Sequence, residues 1–309
     1  MQFCGEGWPG RSLFFQPVAG RAIREAMPTG IAHRSDPFSR TTLRLIHFPE
    51  ETMKRRTLIR YAGSGLAAAA ATVGLSQTQQ AQAQASNAVT IQALGHTCFL
   101  FTGGGLRILV NPFRPIGCTK GYRAPRVASD LVMISSRLFD EGSLEGLPGS
   151  PRLLAEPGIY EYRGVQIQGV RSPHDRQGGR RFGFNVTWRW NQSGLILAHM
   201  GGAAAPIEVE QQILIGRPDV LFVPVGGGPK AYNATEARQA VLALNPRIIV
   251  PTHFRTAAAD ANACDIAPVD EFLSLMEGVP VRRPGDTITL RRSELPSEGS
   301  RIELLSYRF

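Results

Sequence analysis

The chain has 309 residues, of which 43% are hydrophobic and 19% are charged. This composition is typical of a globular protein and excludes a wholly disordered chain. The formal net charge is +9, but residues 1–85 contribute more than half of it, with ten basic and five acidic residues. Because the remaining arginines are scattered and form no basic run interleaved with aromatic residues, the charge does not predict a nucleic-acid partner.

Residues 53–85 have the three-part layout of an export signal. The segment from Arg55 to Arg60 matches the R-R-x-apolar-apolar-basic core of a twin-arginine signal. An uncharged run of Ala, Gly and Leu follows, and then small residues at Ala83 and Ala85 that a signal peptidase accepts. This run is too short and too weakly apolar to span a bilayer, so we expect export without a stable membrane anchor. A short amphipathic helix with two chance arginines is the alternative.

Residues 1–52 precede this signal, although a signal normally begins a chain. Met53 lies directly before the basic start of the signal, where an initiator is expected. We therefore expect residues 1–52, which show no sustained periodicity, to be an unstructured upstream extension from a misplaced start site. A genuine long leader is the alternative, which N-terminal sequencing would distinguish. The folded domain is then expected over residues 86–309.

Short apolar runs separated by Gly and Pro predict many strands from Ser86 onward. Helical periodicity is clearest over Ala234–Leu244, and a second helix is predicted over Pro268–Met276. Strands dominate the first half and strand–helix–strand units follow, which predicts one α+β domain of two layered sheets flanked by helices. The predicted strands are Val89–Leu94, Cys98–Phe101, Leu106–Val110, Leu131–Ser135, Val165–Val170, Phe184–Trp190, Leu195–Ala198, Val220–Val225, Ile248–Val250 and Thr287–Leu290.

The cysteine pattern excludes a disulfide framework. Cys4 lies in the segment expected to be absent, which leaves Cys98, Cys118 and Cys264 with no C-x-x-C spacing. At most one disulfide can form, and a zinc ribbon is excluded. We interpret these thiols as buried or idle.

Four histidines follow the export signal, and each stands at the end of an apolar strand or directly after a turn. Strand ends are where α/β architectures gather the residues of a site. One such histidine is commonly a structural residue, but four in the same context predict a shared site. The four are His96, His174, His199 and His253.

Six segments after the signal carry a recognisable order of motifs. They are GHTCFLF at 95–101, ILVNPF at 108–113, SPHD at 172–175, LILAHMGG at 195–202, VLFVPVGGG at 220–228 and IIVPTHFRT at 248–256. Taken in order, they resemble the motifs of the lactonase-like branch of the metallo-β-lactamase superfamily, and the resemblance covers nearly all of the chain after the signal. It implies the four-layer αββα sandwich of that fold and a metal-dependent hydrolase related to L-ascorbate-6-phosphate lactonase.

The main metal motif of this family, H-x-H-x-D-H, is degenerate in this chain. Ser136 and Leu138 stand where the first two histidines are expected, Asp140 is kept, and Glu141 replaces the last histidine. Gly202 stands where the family has its bridging Asp. Of the seven ligand positions that the resemblance implies, three match, namely Asp140, His174 and His253.

These replacements predict that the usual two-zinc centre is absent. One metal position keeps only His174, because Leu138 has no lone pair and Ser136 is a poor donor for zinc. The second position retains two carboxylates and one imidazole, a set that suits a single Zn, Mn or Fe ion. Its ligands would be Asp140, Glu141 and His253.

Two functions follow as alternatives. The first is an exported metal-dependent hydrolase, with a reduced metal site, that cleaves a small ester, lactone or phosphorylated metabolite. The second is a non-catalytic binding or interaction module that kept the fold and lost the metal centre. Under either alternative, the expected partners of the protein are a small-molecule substrate or ligand and the twin-arginine translocation machinery. Its expected location is the periplasm or an equivalent compartment.

The resemblance also assigns provisional roles to residues. We expect catalytic roles for His174 and Asp140, and we expect His96, His199 and Ser136 to line the pocket. The candidate metal ligands are Asp140, Glu141, His174 and His253.

Overall fold

In a computed structural model of the protein, residues 87–307 are described. The predicted upstream extension and export signal lie outside these residues. The strands are β1 (Ala88–Gly95), β2 (Cys98–Gly103), β3 (Leu106–Val110), β4 (Leu131–Met133), β5 (Arg152–Leu154), β6 (Gly158–Tyr162), β7 (Val165–Pro173), β8 (Phe184–Gln192), β9 (Leu195–His199), β10 (Val220–Pro224), β11 (Ile248–Thr252), β12 (Val281–Arg282), β13 (Thr287–Arg291) and β14 (Arg301–Glu303). The helices are α1 (Val209–Ile215), α2 (Ala234–Leu244) and α3 (Asp270–Leu275).

The strands form two mixed sheets. The six-stranded sheet has the order β13-β1-β2-β3-β4-β5, and the eight-stranded sheet has the order β12-β14-β11-β10-β9-β8-β7-β6. In the second sheet, β9, β10, β11 and β14 are parallel, whereas β6 to β9 pair antiparallel. The parallel strands therefore bring their carboxyl ends, and the loops that follow them, to one edge of the sandwich.

Aromatic side chains from both sheets fill the layer between them. Phe101 of β2 packs edge-to-face against Trp190 of β8 and Phe222 of β10, with ring centroids 4.9 and 5.1 Å apart. Trp188 is fully buried, and its indole nitrogen donates a hydrogen bond to the carbonyl of Ile134 at 3.0 Å. Such pairs contribute about 1 kcal/mol each beyond the burial of apolar area. This aromatic layer therefore stabilises the packing of the two sheets against each other.

Helix α2 has the bounds that its sequence predicts. Asn233 caps its first turn by accepting a hydrogen bond from the backbone of Glu236, whose carboxylate accepts one from the backbone of Asn233 in return. Asn245 ends the helix in the left-handed conformation, with φ of 44°. Helices α1 to α3 lie on the outer face of the eight-stranded sheet. None of the helices found within residues 87–307 combines the length and apolarity needed to cross a membrane.

The predicted α+β sandwich of two sheets is confirmed, with a difference in its outer layers. Within residues 87–307, the outer face of the six-stranded sheet is covered by loops that contribute Phe113, Tyr122 and Ala258, and not by an α-helix. The helical layer that the structure describes therefore lies on one side of the sandwich.

A disulfide joins two of these covering loops. Cys118 is bonded to Cys264, although the two are 146 residues apart in sequence. The interpretation of these thiols as idle is therefore wrong for this pair, while Cys98 is a buried free thiol, as expected. A separation of this length carries no motif, so their proximity depends on the paths of the two loops.

Candidate metal centre

The candidate site lies where several strands end. His253 directly follows β11, His174 directly follows β7, and His96 occupies the turn between β1 and β2. The segment from Ser136 to Glu141 follows β4 of the other sheet. Both sheets therefore supply side chains to this end of the sandwich.

Three side chains form a cluster with the composition of a metal site, His96, Asp140 and His253. Each offers one ligand atom, and these three atoms lie within 4.8 Å of one another. His96 Nε2 is 3.9 Å from Asp140 Oδ2, and the two imidazole centroids are 4.3 Å apart. Both histidines have positive φ, 54° and 49°, a conformation that costs free energy in residues other than glycine and recurs at functional sites.

Glu141 does not join this cluster, although it is adjacent to Asp140. A tight turn, in which the backbone of Glu141 donates to the carbonyl of Leu138 at 3.1 Å, sends the two neighbouring carboxylates in different directions. Glu141 Oε1 instead lies 2.9 Å from His174 Nε2 and accepts a hydrogen bond from Ser136 Oγ at 2.8 Å. Ser136, Glu141 and His174 thus form a separate cluster, which we call the second group.

Gly202 makes room for this second group. A Cβ atom at position 202 would collide with His174 Nε2 and would lie 3.0 Å from both carboxylate oxygens of Glu141. An aspartate at this position, which the resemblance implies for a two-metal centre, is therefore incompatible with the observed placement of His174 and Glu141. The observed placement of His174 and Glu141 therefore requires a residue without a side chain at position 202.

Lys230 is a member of the site that the sequence analysis missed. Its ammonium forms an ion pair with Asp140 Oδ2, and both side chains are less than one fifth exposed. Lys230 lies on the loop after β10, which contains three consecutive glycines. A single lysine after Gly-Gly-Gly-Pro matches no metal or phosphate motif, so its position at the site depended on the course of this loop.

Charges within the site favour ionised carboxylates. Burial opposes ionisation of Asp140, but Lys230 and His96 outweigh burial and hold the pKa of this carboxyl far below its usual range. Burial likewise opposes ionisation of Glu141, and His174 lowers the pKa of that carboxyl. For Lys230, burial would lower the pKa, but Asp140 and Glu141 raise it, so the amine stays protonated.

The imidazoles of the cluster are neutral at physiological pH. Burial lowers the pKa of His96 to about 4 and places the pKa of His253 well below its usual value. A neutral imidazole keeps a lone pair, which is the form that binds a metal ion. Both rings can therefore act as ligands near neutral pH.

The residues present fit a divalent metal ion. Within the described part of the chain, neither His96 Nε2 nor His253 Nδ1 has a hydrogen-bond partner, although both atoms are buried. Leaving a buried polar atom unpaired costs about 1–3 kcal/mol, and metal coordination would remove that cost. Two imidazoles and one carboxylate are also a common ligand set for a catalytic ion, with a position left for water.

The observed grouping differs from the predicted one. Of the four predicted ligands, Asp140 and His253 lie in the cluster, whereas Glu141 and His174 pair with each other. His96, which we expected to line the pocket, supplies the third ligand atom of the cluster.

The predicted pocket residues His199 and Ser136 have internal partners. His199 Nε2 lies 3.0 Å from the carbonyl oxygen of Thr97, and Nδ1 accepts a hydrogen bond from the backbone of Gly201 at 3.1 Å. Its ring is fully buried and stacks on Phe222. Both ring nitrogens of His199 therefore have backbone partners, and Ser136 donates to Glu141.

Comparison with known proteins identifies the superfamily. Residues 90–253, more than half of the chain, match the family described as the beta-lactamase superfamily domain, and the chain belongs to this superfamily. A UPF0173 metal-dependent hydrolase from Thermococcus onnurineus is 26% identical over 234 residues, which cover 65% of this chain and all of the relative. Another, from Thermoplasma acidophilum, is 23% identical over 184 residues, which cover 52% of this chain and 81% of the relative.

A solved structure from Thermotoga maritima is similar as well. That protein, described as a Zn-dependent hydrolase of the metallo-β-lactamase superfamily, superposes with a TM-score of 0.58 and 29% identity. The match covers 71% of this chain and all of the Thermotoga chain. The two-sheet architecture is therefore that of the metallo-β-lactamase fold.

Proposed function

We propose that this protein is a metal-dependent hydrolase that works with a single divalent ion, held by His96, Asp140 and His253. The observation that carries the proposal is the convergence of two neutral imidazoles with unpaired buried nitrogens on an ionised carboxylate. The names of the relatives, metal-dependent and Zn-dependent hydrolases, agree with it. Zinc, manganese and iron are the candidate ions, because all three accept mixed nitrogen and oxygen ligands.

Different residues of the site would have different roles in hydrolysis. A divalent ion bound by the cluster would polarise a substrate oxygen and lower the pKa of a water molecule toward neutrality. Asp140 supplies the negative charge that holds such an ion, and the two imidazoles complete three ligands. We propose that His174, kept in place by Glu141, orients the water or the substrate beside the cluster.

The proposed substrate is a small ester, lactone or phosphorylated metabolite. In each of these, hydrolysis places negative charge on an oxygen, and the ammonium of Lys230 next to the cluster could stabilise that charge. The substrate class remains a proposal that activity profiling of the metal-loaded protein would test.

Elemental analysis of the purified protein tests the metal centre. We expect about one equivalent of a transition metal, and we expect its loss in Asp140→Ala and His253→Ala variants because each removes a ligand. Ser136→Ala serves as the control. It removes a hydroxyl that donates a hydrogen bond to Glu141, and it should keep the metal. Metal-free protein whose melting temperature does not change with chelator or added metal would contradict the proposal.

The alternative function is a non-catalytic binding module, and one observation favours it. The carboxylate of Asp140 already has a cationic partner, Lys230, so the cluster has an internal source of charge neutralisation. A protein that needs no metal for stability and shows no hydrolysis of any of the three substrate classes would support this alternative.

We also propose that residues 53–85 direct export through the twin-arginine machinery to the periplasm or an equivalent compartment. The Cys118–Cys264 bond supports this proposal, because disulfides form and persist in oxidising compartments and are rare in the cytosol. Replacing Arg55 and Arg56 together by Lys should retain the protein in the cytoplasm, as measured by fractionation. Unchanged export of this variant would contradict the twin-arginine route.

A further inference from the structure

The ion pair of Lys230 uses the carboxylate oxygen that faces the candidate metal position. Lys230 Nζ pairs with Asp140 Oδ2, and the same oxygen lies 3.9 Å from His96 Nε2. A divalent ion shared by His96 and Asp140 would have to lie close to this ammonium. Since both are positive, they would repel each other across a poorly exposed space.

The loop that carries Lys230 is held firmly in place. The guanidinium of Arg176 donates to the carbonyls of Gly228 and Ala231, one on each side of Lys230, at 3.0 Å each. Arg176 is itself fixed by an ion pair with Glu236 of helix α2. The lysine therefore meets Asp140 from an ordered backbone, and its charge is part of the architecture of the site.

The charges of the site balance better with Lys230 than without it. Asp140 pairs with the ammonium of Lys230, whereas the buried carboxylate of Glu141 lies against His174. Burying a charge without a partner is strongly unfavourable. The metal-free protein thus gains from the lysine at the carboxylate that a metal would otherwise neutralise.

We propose that Lys230 is a built-in cation that competes with the divalent metal for Asp140. This inference rests on the proposed function, because it assumes that the cluster binds a metal. In the metal-free protein Lys230 neutralises Asp140, and metal binding requires the ammonium to leave that oxygen.

Two consequences follow from this competition. The site binds its metal more weakly than the same ligands would without the lysine, and the domain stays folded when the metal is absent. A lysine that merely stabilises the fold would not have the first consequence. Metal affinity is therefore the readout that separates the two roles.

The test compares the zinc dissociation constant of the wild type with those of Lys230→Met and Lys230→Arg. Lys230→Met removes the charge and keeps a similar length, and we expect it to bind Zn²⁺ at least tenfold more tightly. Lys230→Arg keeps the charge and should bind no more tightly than the wild type. In chelator, Lys230→Met should melt at a lower temperature than the wild type, and saturating Zn²⁺ should abolish that difference.

Equal or weaker zinc binding by Lys230→Met would overturn the competition while leaving the proposed function intact, provided the wild type binds zinc. If neither protein binds Zn²⁺, Mn²⁺ or Fe²⁺, both the competition and the proposed function are wrong. If Lys230→Met does not fold without metal, Lys230→Gln offers a polar, uncharged replacement for the same comparison.

A spectroscopic measurement on the wild type is independent of any variant. The chain contains three lysines, Lys54, Lys120 and Lys230, so isotope labelling of lysine gives few signals. We expect a zinc titration to shift the Lys230 side-chain signal and to leave that of Lys120, which pairs with Asp260 on the surface, unchanged. An unmoved Lys230 signal at zinc saturation would contradict displacement.

Discussion

Two groups of side chains at the same end of the sandwich have opposite characters. The cluster of His96, Asp140 and His253 leaves ring nitrogens without partners, whereas Glu141 is held by Ser136 and lies against His174. The first group is the proposed metal position, and its carboxylate pairs with Lys230. In the second, Ser136 donates to Glu141 and His174 lies against it, although Oε2 of Glu141 and both ring nitrogens of His174 have no hydrogen-bond partner among the described residues. We propose that the first group is the metal position and that the second is a buried carboxylate–imidazole contact.

Among substitutions that disturb the second group, we expect the largest loss of stability from Gly202→Asp. The new side chain would collide with His174 and would add a third carboxylate to the site, next to that of Glu141. We therefore expect a loss of about 4 kcal/mol in the free energy of unfolding. Chemical denaturation measures this loss. Gly202→Ala adds the Cβ without the charge and should show only part of it. A Gly202→Asp variant as stable as the wild type would mean that the second group readily rearranges.

A smaller, pH-dependent effect is expected from Glu141→Gln. The folded-state pKa of Glu141 lies below its unfolded value, so its ionised form contributes stability that is fully present above about pH 5 and lost as the pH falls. We expect the wild type to exceed the variant by about 2 kcal/mol at pH 7 and the gap to narrow below pH 4. Unfolding free energies across this range measure it. If the difference in unfolding free energy between the wild type and Glu141→Gln grew as the pH fell, ionised Glu141 would not be stabilising the folded protein.

The smallest effect is expected from Ser136→Ala. It removes the hydroxyl that donates to Glu141 Oε1 at 2.8 Å, which should cost about 1 kcal/mol of stability. Because Ser136 serves the second group, the zinc affinity of the cluster should change less than twofold. Zinc titration and thermal unfolding of one sample measure both quantities. A large loss of zinc affinity would show that the two groups act as a single centre.

Several elements of the fold were predictable because local interactions determine them. Helix α2 has the predicted bounds because Asn233 and Glu236 satisfy its first turn reciprocally. Strand β10 is a continuous apolar run and β3 is apolar except for Arg107, and both are largely buried. Elements without such a signal were missed, including the three-residue β5 and helix α1, whose Val209 and Ile213 are mostly exposed.

The sequence by itself determined the class of fold, the order of its motifs and the chemical types gathered at strand ends, because each depends on residues near one another in the chain. Only the tertiary structure decided that His96 joins Asp140 and His253, that Glu141 turns away to His174, and that Cys118 meets Cys264. The same holds for Lys230, which meets Asp140 from a loop 90 residues further along the chain. These contacts join distant segments, and a displacement of a few ångströms in a connecting loop would exchange one partner for another.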